Sequence, residues 1–176
     1  MSLSINATVA WWRDLQPDPN RNRTGDRAAL ARLRRCTTVA EAMQDLVTIS
    51  LFQRCGGTGP WHLPTVSLAA AVLAHVREDD REHPRIARRV GPDNTDKPET
   101  ALLKPLRFRR LLEADLPDER LAAFRRLAAL AGGKLNVGDL AGALLDWNEG
   151  RQRRWVYDYW NAGQPTAVPY AEETIS

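Results

Sequence analysis

Apolar residues recur three and four positions apart along almost the whole chain, and no convincing alternation of apolar and polar residues marks a strand. A helix turns about 100° per residue, so this spacing gathers side chains into one stripe, whereas a half-buried strand needs a period of two. The pattern predicts an all-α fold of about eight to nine helices with no sheet. With 176 residues, 43% of them hydrophobic, the chain can bury a real core. No run approaches the roughly 18 apolar residues of a membrane span.

The spacing predicts a first helix over 9–15, carrying Trp11 and Trp12 and stopped by Pro17-Asp18-Pro19-Asn20, and a second over 26–35. Thr38-Val39-Ala40-Glu41 reads as a capping box, launching a helix that runs to Arg54. The longest apolar stretch, 65–81, is the expected centre of the first half's core. From Glu78 to Glu99 charges and prolines take over, with one short helix over 84–90 and a linker at Gly91-Pro92-Asp93-Asn94 and Lys97-Pro98. Four more helices follow at 105–114, 118–131, 137–146 and 149–161, the second closed by Gly132-Gly133 in the left-handed conformation. The expected organisation is two small helical bundles in series: an N-terminal domain over 1–94, a C-terminal bundle over 95–163 and a disordered tail over 164–176.

Charge is informative through its placement. The net is only +3, but 22 of the 25 basic residues are arginine, since only Lys97, Lys104 and Lys134 are lysines. A coding bias toward arginine explains such a total equally well, so clustering carries the argument. Arg107, Arg109 and Arg110 surround an apolar face of Phe108, Leu111 and Leu112; Arg151, Arg153 and Arg154 flank one of Trp155, Val156, Tyr159 and Trp160. Arg34 and Arg35, and then Arg85, Arg88 and Arg89, form two smaller clusters. A planar guanidinium stays charged and matches phosphate oxygens, so arginines on rigid helices can follow a sugar–phosphate backbone. The alternative is a solvated face whose arginines pair with Glu113, Asp115, Glu149 or Asp158. The phosphate reading requires guanidinium groups from separate elements to form one path free of carboxylates.

Catalytic signals are poor. His62, His75 and His83 lack the spacing of two ligands on one helix face, Cys36 and Cys55 form no C-x-x-C pair, and Gly56-Gly57-Thr58-Gly59 lacks the following lysine of a phosphate loop. Neither a metal, a cofactor nor a catalytic residue is expected. The acids from Glu78 to Glu82, with Arg77 and Arg81 interleaved, read as a self-paired surface helix. Trp147, Trp155 and Trp160, at helical spacing, are expected in the core rather than stacked on bases. No export signal is visible at the N-terminus, and the two cysteines are expected as reduced, packed thiols of a cytoplasmic protein.

Leu106-Arg107-Phe108-Arg109-Arg110-Leu111-Leu112, then Leu144-Leu145-x-Trp147 and Arg151-x-x-Arg154-Trp155-x-x-Asp158-Tyr159, resembles the small subunit of the type I-E CRISPR surveillance complex, the CasB family of Cascade. Trp11-Trp12 and Ala31-x-Leu33-Arg34-Arg35 fit the same family, extending the resemblance over about 9–160. It implies a non-enzymatic, two-domain helical subunit of an RNA-guided antiviral complex. Its implied partners are the backbone and large subunits, guide RNA, target DNA and a second copy of itself, with no membrane involved. The family's basic positions fall on Arg107, Arg109, Arg110, Arg151 and Arg154, with Arg34 and Arg35 following. Two departures stand out: 84–89 replaces a Ser-Leu-Gly-Arg-like stretch, and Lys104 is a poor helix cap before Pro105. A helical protein–protein adaptor, its arginines pairing with acidic partners, is the rival reading.

Overall fold

A computed structural model of the chain describes residues 2–164. All but the first residue of the expected disordered tail lies outside them. Ten α-helices succeed one another among the described residues: α1 (Ile5–Leu15), α2 (Arg27–Arg35), α3 (Val39–Met43), α4 (Leu46–Arg54), α5 (Leu63–Leu73), α6 (Ile86–Val90), α7 (Pro105–Glu113), α8 (Pro117–Leu130), α9 (Val137–Leu145) and α10 (Glu149–Tyr159). The fold is all-α, as the periodicity predicts. Two two-residue strands, β1 (Glu78–Asp79) and β2 (Lys134–Leu135), add a minimal parallel pairing that the sequence pattern does not announce.

Two apolar stretches carry shorter helices than their length, the first for a local reason and the second for a long-range one. The segment 39–54 is split because Asp45 stops α3 and starts α4, its carboxylate accepting from the Val47 amide at 3.1 Å. Aspartate favours the cap over the helix interior because it bonds nearby backbone amides. The apolar run of α5 ends at Leu73 because the chain beyond it finds other partners. The Arg77 and Glu78 amides both donate to Gly133 O, and Asp80 N donates to Leu135 O. Gly132 and Gly133, at φ +65° and +76°, turn the end of α8 so that those carbonyls face β1.

α5 is buried on every side from Val66 to Leu73 and forms the centre of the core. It packs against α3 and α4 of the first half and against α8 and α9 of the second. Ala69, Ala70, Ala71 and Ala74 are all fully buried, and their small side chains let neighbouring backbones come close. Two tryptophans pin α1 to this frame: Trp11 Nε1 donates to Val47 O and Trp12 Nε1 to Val76 O, each at 3.0 Å. One contiguous apolar cluster contains residues from both sides of the 94/95 linker.

Candidate nucleic-acid interface

α7 starts without a side-chain cap. Lys104 contributes none, and Pro105 at the first helical position lacks the amide that would need one. Phe108 and Leu111 face the core, and Phe108 lies on Tyr159 of α10 with ring centroids 3.8 Å apart and planes 6° apart. The buried Tyr159 hydroxyl donates to Leu103 O at 2.5 Å, and burial pushes its pKa up to about 12. This contact fixes α7 against α10. Arg107, Arg109 and Arg110 are left exposed on the outer side, in no ion pair among the described residues.

The flanks of α7 differ. Arg109 borders a groove shared with α10, lined by Pro105, Leu106, Val156 and Trp160. Arg110 borders a shallow hollow against α8 that also holds Arg126, Glu113 and Glu119. Leu106 and Val156 stay exposed at 59% and 39%, so Val156 does not join the buried face expected for it. Trp147 and Trp155 are buried as expected, crossing each other and Phe124 edge to face; Trp160 is half-buried.

The remaining expected site residues divide by what they touch. Arg35, Arg85 and Arg153 are exposed and unpaired among the described residues. Arg151 turns back to donate from Nε to Asp146 O at 2.8 Å, and Arg154 pairs with Asp158 at 3.3 Å while lying over the Tyr157 ring. Arg34 donates from Nε to Ala74 O at 2.6 Å. Arg88 bonds the carbonyls of Asp158, Tyr159 and Pro92. Arg89 bonds Lys134 O and sits 3.5 Å from Asp80. α6, α7 and α10 therefore meet around Tyr159, whereas Arg34 belongs to a second neighbourhood with Arg77 and Arg125 at the end of α5.

The acidic run is not the self-paired surface helix expected: Glu78–Asp79 form β1, Asp80 is buried, and apart from Asp79–Arg81 the partners lie outside the run. Glu78 meets Lys134, and Asp79 caps α9 through the Val137 amide. Asp80, 1% exposed, holds His83 and Arg89. Burial pushes the Asp80 carboxyl up, but the His83 hydrogen bonds and the nearby charges outweigh it and leave it below its ordinary value. Among the described residues no three His, Cys, Asp or Glu side chains gather where they could hold a metal ion. Both cysteines are free thiols, their pKa values raised by burial. No helix among the described residues is long and apolar enough to cross a membrane.

Sequence spacing does not single out Arg27, Arg77 or Arg126, which stand unpaired on three separate segments. Only tertiary packing gives them neighbours, so no pattern along the chain could have joined them.

Fold and surface together define an arginine-faced helical protein, of the kind that works by contact within an assembly. Residues 29–160 match the family model described as CRISPR-associated protein Cse2. The chain belongs to that family, the small subunit of the type I-E Cascade complex, whose members are non-catalytic structural subunits. Its partners are accordingly other Cascade subunits. The match runs from α2 to α10 and omits the tryptophans of α1. No curated protein and no solved structure matches the chain.

Proposed function

We propose that this subunit grips nucleic acid inside Cascade without regard to sequence, steadying the guide–target hybrid and the displaced DNA strand and catalysing nothing. The observation that carries the reading is α7. Three exposed guanidinium groups, free of carboxylates within 4 Å, project from a helix whose inner side is locked by the Phe108–Tyr159 stack. Arginines on a fixed helix have no intramolecular pair to break on meeting phosphate, and the planar fork loses less entropy per hydrogen bond than a flexible ammonium does. Arg35, Arg85 and Arg153 are further exposed, unpaired guanidinium groups open to phosphate, and Arg34, Arg151 and Arg154 keep terminal nitrogens for it. Arg88 and Arg89, whose terminal nitrogens already hold carbonyls, act in this reading by fixing α6 against α10 and β2.

Such a role needs no chemistry. Exchanging a DNA duplex for a guide–target hybrid is nearly balanced, so backbone contacts from the protein can tip it. Tethering within the complex, beside guide RNA, the backbone and large subunits and a second copy of the chain, raises the effective concentration of a weak site. A second reading, docking of another protein on this face, is favoured by exposed Leu106 and Val156 in the groove beside Arg109.

Binding of the isolated chain to single- and double-stranded DNA across a salt series separates the two. Neutralising phosphates makes log affinity fall linearly with log salt, by about 0.9 per contact on duplex. Arg107→Glu with Arg110→Glu is expected to weaken binding and make that slope shallower by about 2, with helicity unchanged because both side chains are exposed. An unchanged slope overturns the reading and leaves the protein-docking face.

A further inference from the structure

The corner between α1 and α2 forms a cleft separate from α7. Gly25 makes the corner possible: its φ is +66°, and a Cβ there would press on Leu15 O and on the Gln16–Pro17 peptide. The chain can therefore fold back on the end of α1, where Asp26 N donates to Leu15 O at 3.0 Å. Gln16, Pro17, Arg27, Leu30, Arg34 and Arg77 line a hollow of about 310 Å³.

Three guanidinium groups thus border one cavity, from the first turn of α2, the last turn of α2 and the turn after α5. No carboxylate lines it, and none of the three arginines is ion-paired among the described residues. Arg34 uses its Nε on Ala74 O, which leaves its terminal nitrogens without an acceptor among the described residues. The Gln16 side-chain nitrogen is buried with no partner among the described residues. Three unpaired cations around one hollow without a carboxylate leave an uncompensated positive charge that an anion would balance. The electrostatics agree: burial, then Arg77, hold Arg34 below its ordinary value. Burial, together with Arg125, Arg34 and Arg77, lowers His75 to about 4, so that imidazole is neutral near pH 7.

We propose that this cleft binds a phosphate group, held between Arg27, Arg34 and Arg77, with the Gln16 side chain in its wall. Three charge-assisted forks match a tetrahedral anion with several acceptor oxygens. The group can come from a nucleic-acid phosphodiester or from a free phosphate. Only the first source touches the proposed function, and Arg34 is the only residue shared with it.

The test follows the side-chain amide resonances of Gln16 in the full-length chain, at constant ionic strength. One arm titrates inorganic phosphate; the other titrates a short single-stranded thymidine oligonucleotide without terminal phosphates. A saturable Gln16 shift in either arm is expected, and which arm responds assigns the source. Arg27→Gln with Arg77→Gln, both exposed and so tolerated by the fold, is expected to raise the dissociation constant at least about tenfold. Arg107→Glu with Arg110→Glu should leave the Gln16 response to inorganic phosphate untouched, so failure at α7 and failure here read out separately. Gln16 resonances unmoved by both probes at millimolar concentration overturn the proposal, as does an unchanged constant in the Arg27/Arg77 variant.

Discussion

Arg88 reaches three backbone carbonyls, those of Asp158 and Tyr159 at the end of α10 and that of Pro92 in the linker. It is one of several arginines that close helix ends. Arg34 does so for α5, Arg120 for α7 through Ala114 O, Arg125 for α2 through Arg34 O and Cys36 O, and Arg151 for α9. The last carbonyls of a helix lack intrahelical partners and carry partial negative charge, so a guanidinium satisfies both needs at once. Carboxylates serve the opposite ends: Asp118 accepts from Val39 N of α3, Asp139 from Ile86 N of α6 and Asp79 from Val137 N of α9. Replacing Arg88 by lysine keeps the charge but removes the fork. The Arg88→Lys variant is expected to lose about 2 kcal/mol in urea denaturation, and stability equal to the parent would show that charge alone suffices. These contacts also explain how far the site was legible. The inner faces of α7 and α10 follow from spacing, which fixes Phe108, Leu111, Trp155 and Tyr159 inside. Whether a given arginine ends at solvent or at a carbonyl depends on a neighbour up to 91 residues away, as with Arg125 and Arg34, and no local pattern encodes that.

At the scale of elements, capping residues decide more than apolar periodicity does. Thr38 caps α3 through the Glu41 amide, while Glu41 reaches back to Thr37 rather than to Thr38. Seven residues later Asp45 repeats the device for α4 and also takes Arg32 at 2.9 Å, which lowers its own pKa. Both halves of 39–54 keep apolar residues at helical spacing, so the stripe alone reads as one helix. The carboxylate at the break gives the second start. Asp45→Ala should cost about 1–2 kcal/mol of stability and free Arg32, with helicity by circular dichroism little changed. Gain of helix across 44–45 without loss of stability would mean that packing, not the cap, sets the break. The helices from α7 to α10 begin and end within two residues of expectation, because Pro105, Pro117, Gly132 and Asn148 punctuate them in the sequence itself. The end of α5 was not legible, since the carbonyls that draw the chain into β1 come from Gly133 and Leu135, more than 50 residues downstream.

Over the whole molecule, α5 ties together the two stretches of chain that the linker separates. Its alanines face α3 on one side and α8 and α9 on the others, and β1 pairs with β2 across the same divide. A helix buried on all sides has no solvent face that could absorb added volume. Enlarging Ala70, which is fully buried, to leucine should therefore strain both halves together. The expected loss is about 1–3 kcal/mol, seen as a lower urea midpoint with an unchanged slope. Hydrogen exchange resolved by segment makes the measurement decisive. If the halves share one cooperative core, protection in α1 and α4 and protection in α9 and α10 should fall by the same free energy. If 1–94 and 95–163 fold as separate units, one set should fall while the other keeps its parent value. The outcome also bears on function, because arginines on α7 and in the α1–α2 cleft can hold a fixed spacing along nucleic acid only when a common core keeps the two surfaces in register.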